Sequence, residues 1–148
     1  MLELARKREP GIEFQLRDVS RLTLPDASVD AITIGFGLRN LVDREAGLRQ
    51  MHRVLRPGGR LVILEFAPPP PGLLMRAYRF YLERVMPAVV GLRSATEAGA
   101  YRYLAQTVEA FTEPVELAAQ LERLGFRVGF ERMTFGIVAI HTATKPLK

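Results

Sequence analysis

Gly35-Phe36-Gly37-Leu38-Arg39-Asn40 sets two glycines directly ahead of a guanidinium and a carboxamide. Glycine has no Cβ, so a backbone built from it can approach a ligand closely, and Arg39 and Asn40 supply hydrogen-bond donors beside it. A strand-to-helix turn that simply needs glycine accounts for the same Gly-x-Gly spacing. Asp18-Val19 and Glu65-Phe66 put a carboxylate near the ends of two other segments. Thiol nucleophiles and thiolate metal sites are excluded because the chain has no cysteine. Only His52 and His141 remain as imidazole ligands, so no metal is expected.

These residues need elements to hold them. Ile12-Glu-Phe-Gln-Leu16 alternates apolar and polar and predicts a short strand, with a turn around Leu24-Pro25-Asp26. Val29 to Phe36 is a nearly continuous apolar run, short and β-branched, which predicts a strand buried on both faces. Asp43 offers a helix cap, and Leu48, Met51, Val54 and Leu55 recur at helical spacing until Arg56-Pro57-Gly58-Gly59 stops them. Arg60 to Phe66 is the next buried strand. Strand, helix and strand in so short a span predict a parallel βαβ crossover, hence an α/β fold with a mostly parallel, Rossmann-like sheet and helices on both faces. Pro68 to Pro71 must leave that sheet, ahead of an amphipathic stretch from Leu73 to Val90. A third helix, capped near Thr112, carries Leu117, Leu121 and Leu124 before Gly125, and Phe126–Thr134 with Ile137–Thr144 predicts a closing antiparallel hairpin.

With 148 residues, 48% of them hydrophobic and 25% charged, the chain fits one globular domain. The apolar stretches are broken by Arg76, Arg79, Glu83 and Arg84, short of the ~20 residues a spanning helix needs. No signal-peptide pattern follows Met1, and a cytoplasmic protein is expected. A net charge of +5 attracts polyanions in general, but the cations are scattered over several helices and not interleaved with aromatics along a stripe. No nucleic-acid partner is expected. Contact with an anionic membrane surface stays open. Ligands of open α/β sheets bind beyond the carboxyl ends of the strands, where Asp18-Val19, Gly35 to Asn40 and Glu65-Phe66 all fall.

Leu24-Pro25-Asp26 to Val29-Asp30, Ile32 to Asn40, His52-Arg53-Val54-Leu55-Arg56-Pro57-Gly58-Gly59 and Leu64-Glu65-Phe66 resemble the ubiquinone/menaquinone-biosynthesis C-methyltransferase family. The proline-glycine-glycine turn is common to many class I methyltransferases, whereas the Phe-Gly-Leu-Arg-Asn run, Tyr101 to Leu104 and Gly136 to His141 narrow the resemblance to this branch. The resemblance implies S-adenosylmethionine as cofactor and a reduced, prenylated quinone, demethylmenaquinol before others, as substrate. It also implies an earlier strand with a glycine-rich loop for the methionine moiety and a further strand ending in a ribose-binding acid, neither of which has a counterpart here. The chain is therefore expected to be the later part of such a domain, with Val29 to Phe36 left as a sheet edge that either the short strand Ile12 to Leu16 slides in to cover or, as the favoured expectation, a second copy covers in a homodimer. A non-catalytic subunit that docks on a partner is the alternative.

Carried over residue by residue, the resemblance puts Asp18 and Val19 beside the adenine and Gly35, Phe36 and Gly37 along the cofactor. Relatives often have serine where this chain has Gly35. Arg39 is implied to favour the phenolate of the substrate and Asn40 to orient the same oxygen. An ion pair with Glu65 or Asp43 is the competing role for Arg39, and a turn cap the competing role for Asp18. Tyr101 and Tyr103 are implied substrate contacts, or ordinary packing residues. His141 is a candidate proton relay, or a satisfied core histidine on an apolar strand. Leu73 to Val90 lines an isoprenoid channel, or forms a plain core helix.

Overall fold

The structure, a computed structural model, describes residues 2–68, 72, 76–77, 80–85, 107–108 and 111–147. Its elements are helices α1 (Leu2–Arg8), α2 (Arg44–Val54) and α3 (Pro114–Arg123), and strands β1 (Val29–Gly35), β2 (Leu55–Phe66), β3 (Arg127–Met133) and β4 (Val138–Thr144). The strands form one sheet in the order β1-β2-β4-β3. β1 and β2 are parallel, with Ile32 to Gly35 opposite Leu61 to Leu64, so their carboxyl ends coincide. The predicted βαβ unit is thus present, and β3 and β4 form the expected antiparallel hairpin. β4 is the inner strand of that hairpin, paired antiparallel with β2 from Arg60↔Thr144 to Phe66↔Val138.

Period-two burial along β2 decides where the core lies. Leu61 and Ile63 point to one side, and they cluster with Leu48 and Met51 of α2, Leu117 and Leu121 of α3, Phe126 and Ala143. Both helices therefore cover the same face of the sheet. Asp43 caps α2 by accepting from the Ala46 N–H at 2.8 Å, as predicted. At the other end Lys145 donates through Nζ to the carbonyls of His52 and Leu55, both at 2.8 Å, which satisfies oxygens the helix leaves open and complements its negative terminus. Arg53 reaches from α2 to the Leu22 and Leu24 carbonyls at 2.8 and 2.9 Å and pairs with Asp26, stapling the Leu-Pro-Asp turn to the helix.

Four expectations are corrected. Ile12 to Leu16 is not a strand; Ile12 is 56% and Leu16 88% exposed, because alternation provides a face but no ladder or surface for it to bury against. β1 is not buried on both faces: Val29, Ile32 and Ile34 pack on the core, while Ala31, Thr33 and Gly35 are exposed on a strand that, among the described residues, pairs along one edge only. Thr112 does not cap α3, which starts with Pro114 at its first position, where the missing N–H costs nothing; Glu113 pairs with Arg132 instead. Arg56 to Gly59 belongs to β2 rather than to a separate stop, with the register slipping between Val29↔Leu55 and Ala31↔Arg60.

That slip explains the two glycines. Gly58 has φ +81°, and a Cβ at Gly59 would sit 2.8 Å from the Arg56 carbonyl oxygen and 3.0 Å from that of Asp30. Gly59→Ala is expected to destabilise by about 1–3 kcal/mol through overpacking against backbone. A urea midpoint equal to wild type would show that the turn opens freely. No helix among the described residues is long and apolar enough to cross a membrane.

Candidate active site

The loop after β1 is built around strained backbone. Phe36 extends the ladder by donating its N–H to the Leu64 carbonyl at 2.8 Å, then takes φ +53°, a left-handed conformation costly for an aromatic residue. This turns the chain into Gly37 and the short 3₁₀ turn Leu38–Asn40. Phe36 and Phe66, at the ends of the two parallel strands, meet with ring centroids 4.7 Å apart. The Arg39 guanidinium lies 5.3 Å from the centre of the Phe66 ring, donates Nη1–H to the Phe36 carbonyl at 2.8 Å and forms an ion pair with Glu65.

Glu65 is only 1% exposed. Its carboxylate accepts from the Phe66 N–H at 3.0 Å and the Arg39 N–H at 3.3 Å as well as from the guanidinium. One buried carboxylate thereby ties the end of β2 to the backbone and side chain of the β1 loop. From the sequence Glu65 stood out as a carboxylate at a strand end and as one of two possible partners for Arg39, a charge inside the apolar run Ile63-Leu64-Glu65-Phe66. Phe66 carried no signal beyond its place at a strand end.

Asp18 and Asn40 come together on the wall of a cavity of about 510 Å³ that also includes Ser20 and Asp43. Asp18 is the cap of the 3₁₀ turn Val19–Arg21, with Oδ1 accepting from the Ser20 N–H at 2.9 Å and its hydroxyl at 2.7 Å. Those two bonds hold its carboxyl below the ordinary aspartate range. Val19 and Gly37 line a second, largely apolar cavity of about 390 Å³ beside β1, with Ile32, Ile34 and Leu41. Around Gly35 a Cβ would meet nothing within 4 Å, and at Gly37 it would make only an ordinary contact with Ile34. The protein's own atoms therefore do not require glycine at either position.

His141 lies elsewhere, on β4 opposite Ile63 and away from the strand ends. Its Nε2 is 2.9 Å from the Pro114 carbonyl, its ring stacks on Phe130 at 5.3 Å, and its Nδ1 is buried with no hydrogen-bond partner among the described residues. His52 is half-buried on α2, edge-on to Phe126. Tyr101, Tyr103 and most of Leu73 to Val90 lie outside the described residues. Burial lowers the pKa of both histidines; the nearby Lys145 charge adds to this at His52, and the Pro114 bond partly opposes it at His141. Because the folded state holds these rings neutral while the unfolded chain protonates near the usual ~6.5, their contribution is complete at higher pH and is lost as pH falls through that range. Urea stability is expected to fall between about pH 7 and pH 5, with a shallower slope in His141→Gln. An identical slope in the variant would exclude His141 as a source.

The profile of the ubiE/COQ5 methyltransferase family matches residues 1–145. The chain belongs to that family. Family relatives include the demethylmenaquinone methyltransferase of Thermus thermophilus, 47% identical over 99% of this chain and 68% of that protein. The demethylmenaquinone methyltransferase of Deinococcus radiodurans is 46% identical over 98% of this chain and 61% of its own length. The ubiquinone/menaquinone biosynthesis C-methyltransferase UbiE of Geobacter sulfurreducens is 43% identical over all of this chain and 60% of its own length. The chain thus spans roughly two thirds or less of the curated relatives it matches. Among solved structures, a SAM-dependent methyltransferase from Thermotoga maritima superposes with a TM-score of 0.65 at 21% identity, covering 98% of this chain and 69% of that one. Another from Aquifex aeolicus gives 0.61 at 17% identity, over 97% and 63%. These likenesses establish the family's α/β methyltransferase fold for the four-stranded sheet.

Proposed function

We propose that the chain takes part in methyl transfer from S-adenosylmethionine to a ring carbon of a reduced, prenylated quinone, demethylmenaquinol before a benzoquinol. The observation that carries this reading is the convergence of Phe36, Arg39, Glu65 and Phe66 at the coincident carboxyl ends of β1 and β2, in a chain matched by the family almost throughout. When bound, the cofactor supplies an electrophilic methyl group that an electron-rich ring carbon can accept as its own proton leaves.

The chain's residues fit one end of that cofactor. Asp18 uses Oδ1 for Ser20, which leaves Oδ2 to accept an exocyclic amine, and Asn40 lines the same cavity. Val19 and Gly37 add the apolar wall next to it. Arg39, fixed by Glu65 and Phe36, would donate to the quinol oxygen, favouring its ionised form and orienting the ring. On this reading the protein works in the cytoplasm, at the membrane surface that holds a prenylated substrate. Transfer of labelled methyl into demethylmenaquinol, reduced at least tenfold in Arg39→Gln, is the expected result. No label uptake, together with no binding heat at millimolar cofactor, would overturn it.

A second reading is favoured by the outer edge of β1, which pairs with no strand among the described residues and whose N–H and C=O groups face away from β2. Two copies pairing there would form a homodimer. Light scattering expects twice the chain mass, and a monomer at every concentration rejects this reading.

A further inference from the structure

Between α2 and α3 runs a polar groove of about 540 Å³ whose walls carry Arg39, Arg44, Arg49 and Arg123 against a single carboxylate, Glu45. Two of these cations are already engaged: Arg39 with the buried Glu65, and Arg49 with Glu45 in an exposed pair one helical turn apart. The other two are different. Arg44 is held over the Phe111 ring at 5.4 Å, which orients the guanidinium without neutralising it, and neither Arg44 nor Arg123 has a carboxylate partner among the described residues. Gln120 adds an uncharged donor to the same wall.

The rim of the groove carries a second signal. Val42 lines it and is 107% exposed, a fully solvated β-branched side chain next to the arginine cluster. At an anionic bilayer both features are used, since guanidinium groups meet the headgroup phosphates while an apolar tip enters the boundary with the acyl chains.

We propose that this groove docks the protein on anionic phospholipid, with Arg44 and Arg123 on a headgroup phosphate and Val42 inserted beside it. The inference rests on the membrane placement proposed above and names residues for it; Arg44 and Arg123 lie outside the cavity that Asp18 and Asn40 line, whereas Val42 also borders that cavity, so vesicle binding and not methyl transfer is the readout.

The test is co-sedimentation of the full chain with vesicles of phosphatidylcholine, with and without phosphatidylglycerol, at low and physiological salt. Binding is expected only to the phosphatidylglycerol vesicles, weaker at higher salt. It should fall about 30-fold in Arg44→Gln with Arg123→Gln, taking about fivefold for each surface cation, and several-fold in Val42→Ser. The control is Arg8→Gln with Arg127→Gln, which removes the same charge from exposed positions outside the groove. If that pair weakens binding as much as the groove pair, diffuse charge suffices and the proposal fails. It fails equally if soluble glycerol phosphate binds the groove while vesicles do not, or if a DNA duplex binds as tightly as the vesicles.

Discussion

Arg39→Met is expected to lower the unfolding free energy at neutral pH by about 3–5 kcal/mol, because it leaves a buried carboxylate without its counter-charge. Glu65 is nearly inaccessible to water, and the two backbone N–H groups that remain cannot replace a guanidinium. Arg39→Met combined with Glu65→Leu should be far milder than either change alone, since removing both charges also removes the desolvation they impose. A double-mutant cycle by urea titration measures this, and strictly additive losses would show that the two groups do not depend on one another. The pair also holds the strained Phe36 turn, so the double variant is expected to stay folded while losing the ordered loop. Methyl transfer, if the chain performs it, should not return with stability. That separation tells a positioning role from a merely structural one.

Leu121→Ala is expected to cost about 2–5 kcal/mol, the range for deleting a buried leucine whose cavity only partly collapses. Leu121 is fully buried on α3 and belongs to the cluster that joins both helices to Leu61 and Ile63. Its neighbours come from a sheet whose strands cannot shift without breaking ladders on two sides, so little relaxation is available. Leu121→Met keeps the volume and should cost less than about 1.5 kcal/mol. Calorimetric melting separates the two, and an alanine variant that melts within a degree or two of wild type would mean that α3 contributes little to the core.

Local chemistry made much of this architecture legible. Val29 to Gly35 had to be a strand because its apolar run is short and β-branched, and Asp43 had to start α2 because its carboxylate meets the free N–H groups of the first turn. The closing hairpin followed from two such runs set close together. What failed was burial and pairing, which depend on neighbours. Ile12 to Leu16 has the alternation of a strand and no ladder to join, and β1 has the composition of an inner strand at the end of a sheet.

The candidate site divides in the same way. The glycines, Arg39 and Asn40 could be picked out from residue type and from their position after a strand. The sequence offered Glu65 and Asp43 alike as partners for Arg39; the choice of Glu65 is made by the parallel register of β1 and β2, which brings together residues 26 positions apart. Arg53 shows the same limit: nothing near it in the sequence announces that it will gather the carbonyls of Leu22 and Leu24. Asp18 could be singled out, but its geometry satisfies both a cap and a cavity wall, so residue type did not choose between them.

The placement of β4 bears on how the protein is made. Residues 138–144 occupy the slot between β2 and β3, so during translation the free side of β2 has no mate until nearly everything before them has left the ribosome. The nascent chain carries that bare backbone from the end of β2 at Phe66 until β4 begins at Val138, in reach of holding chaperones or of its neighbours on the same messenger.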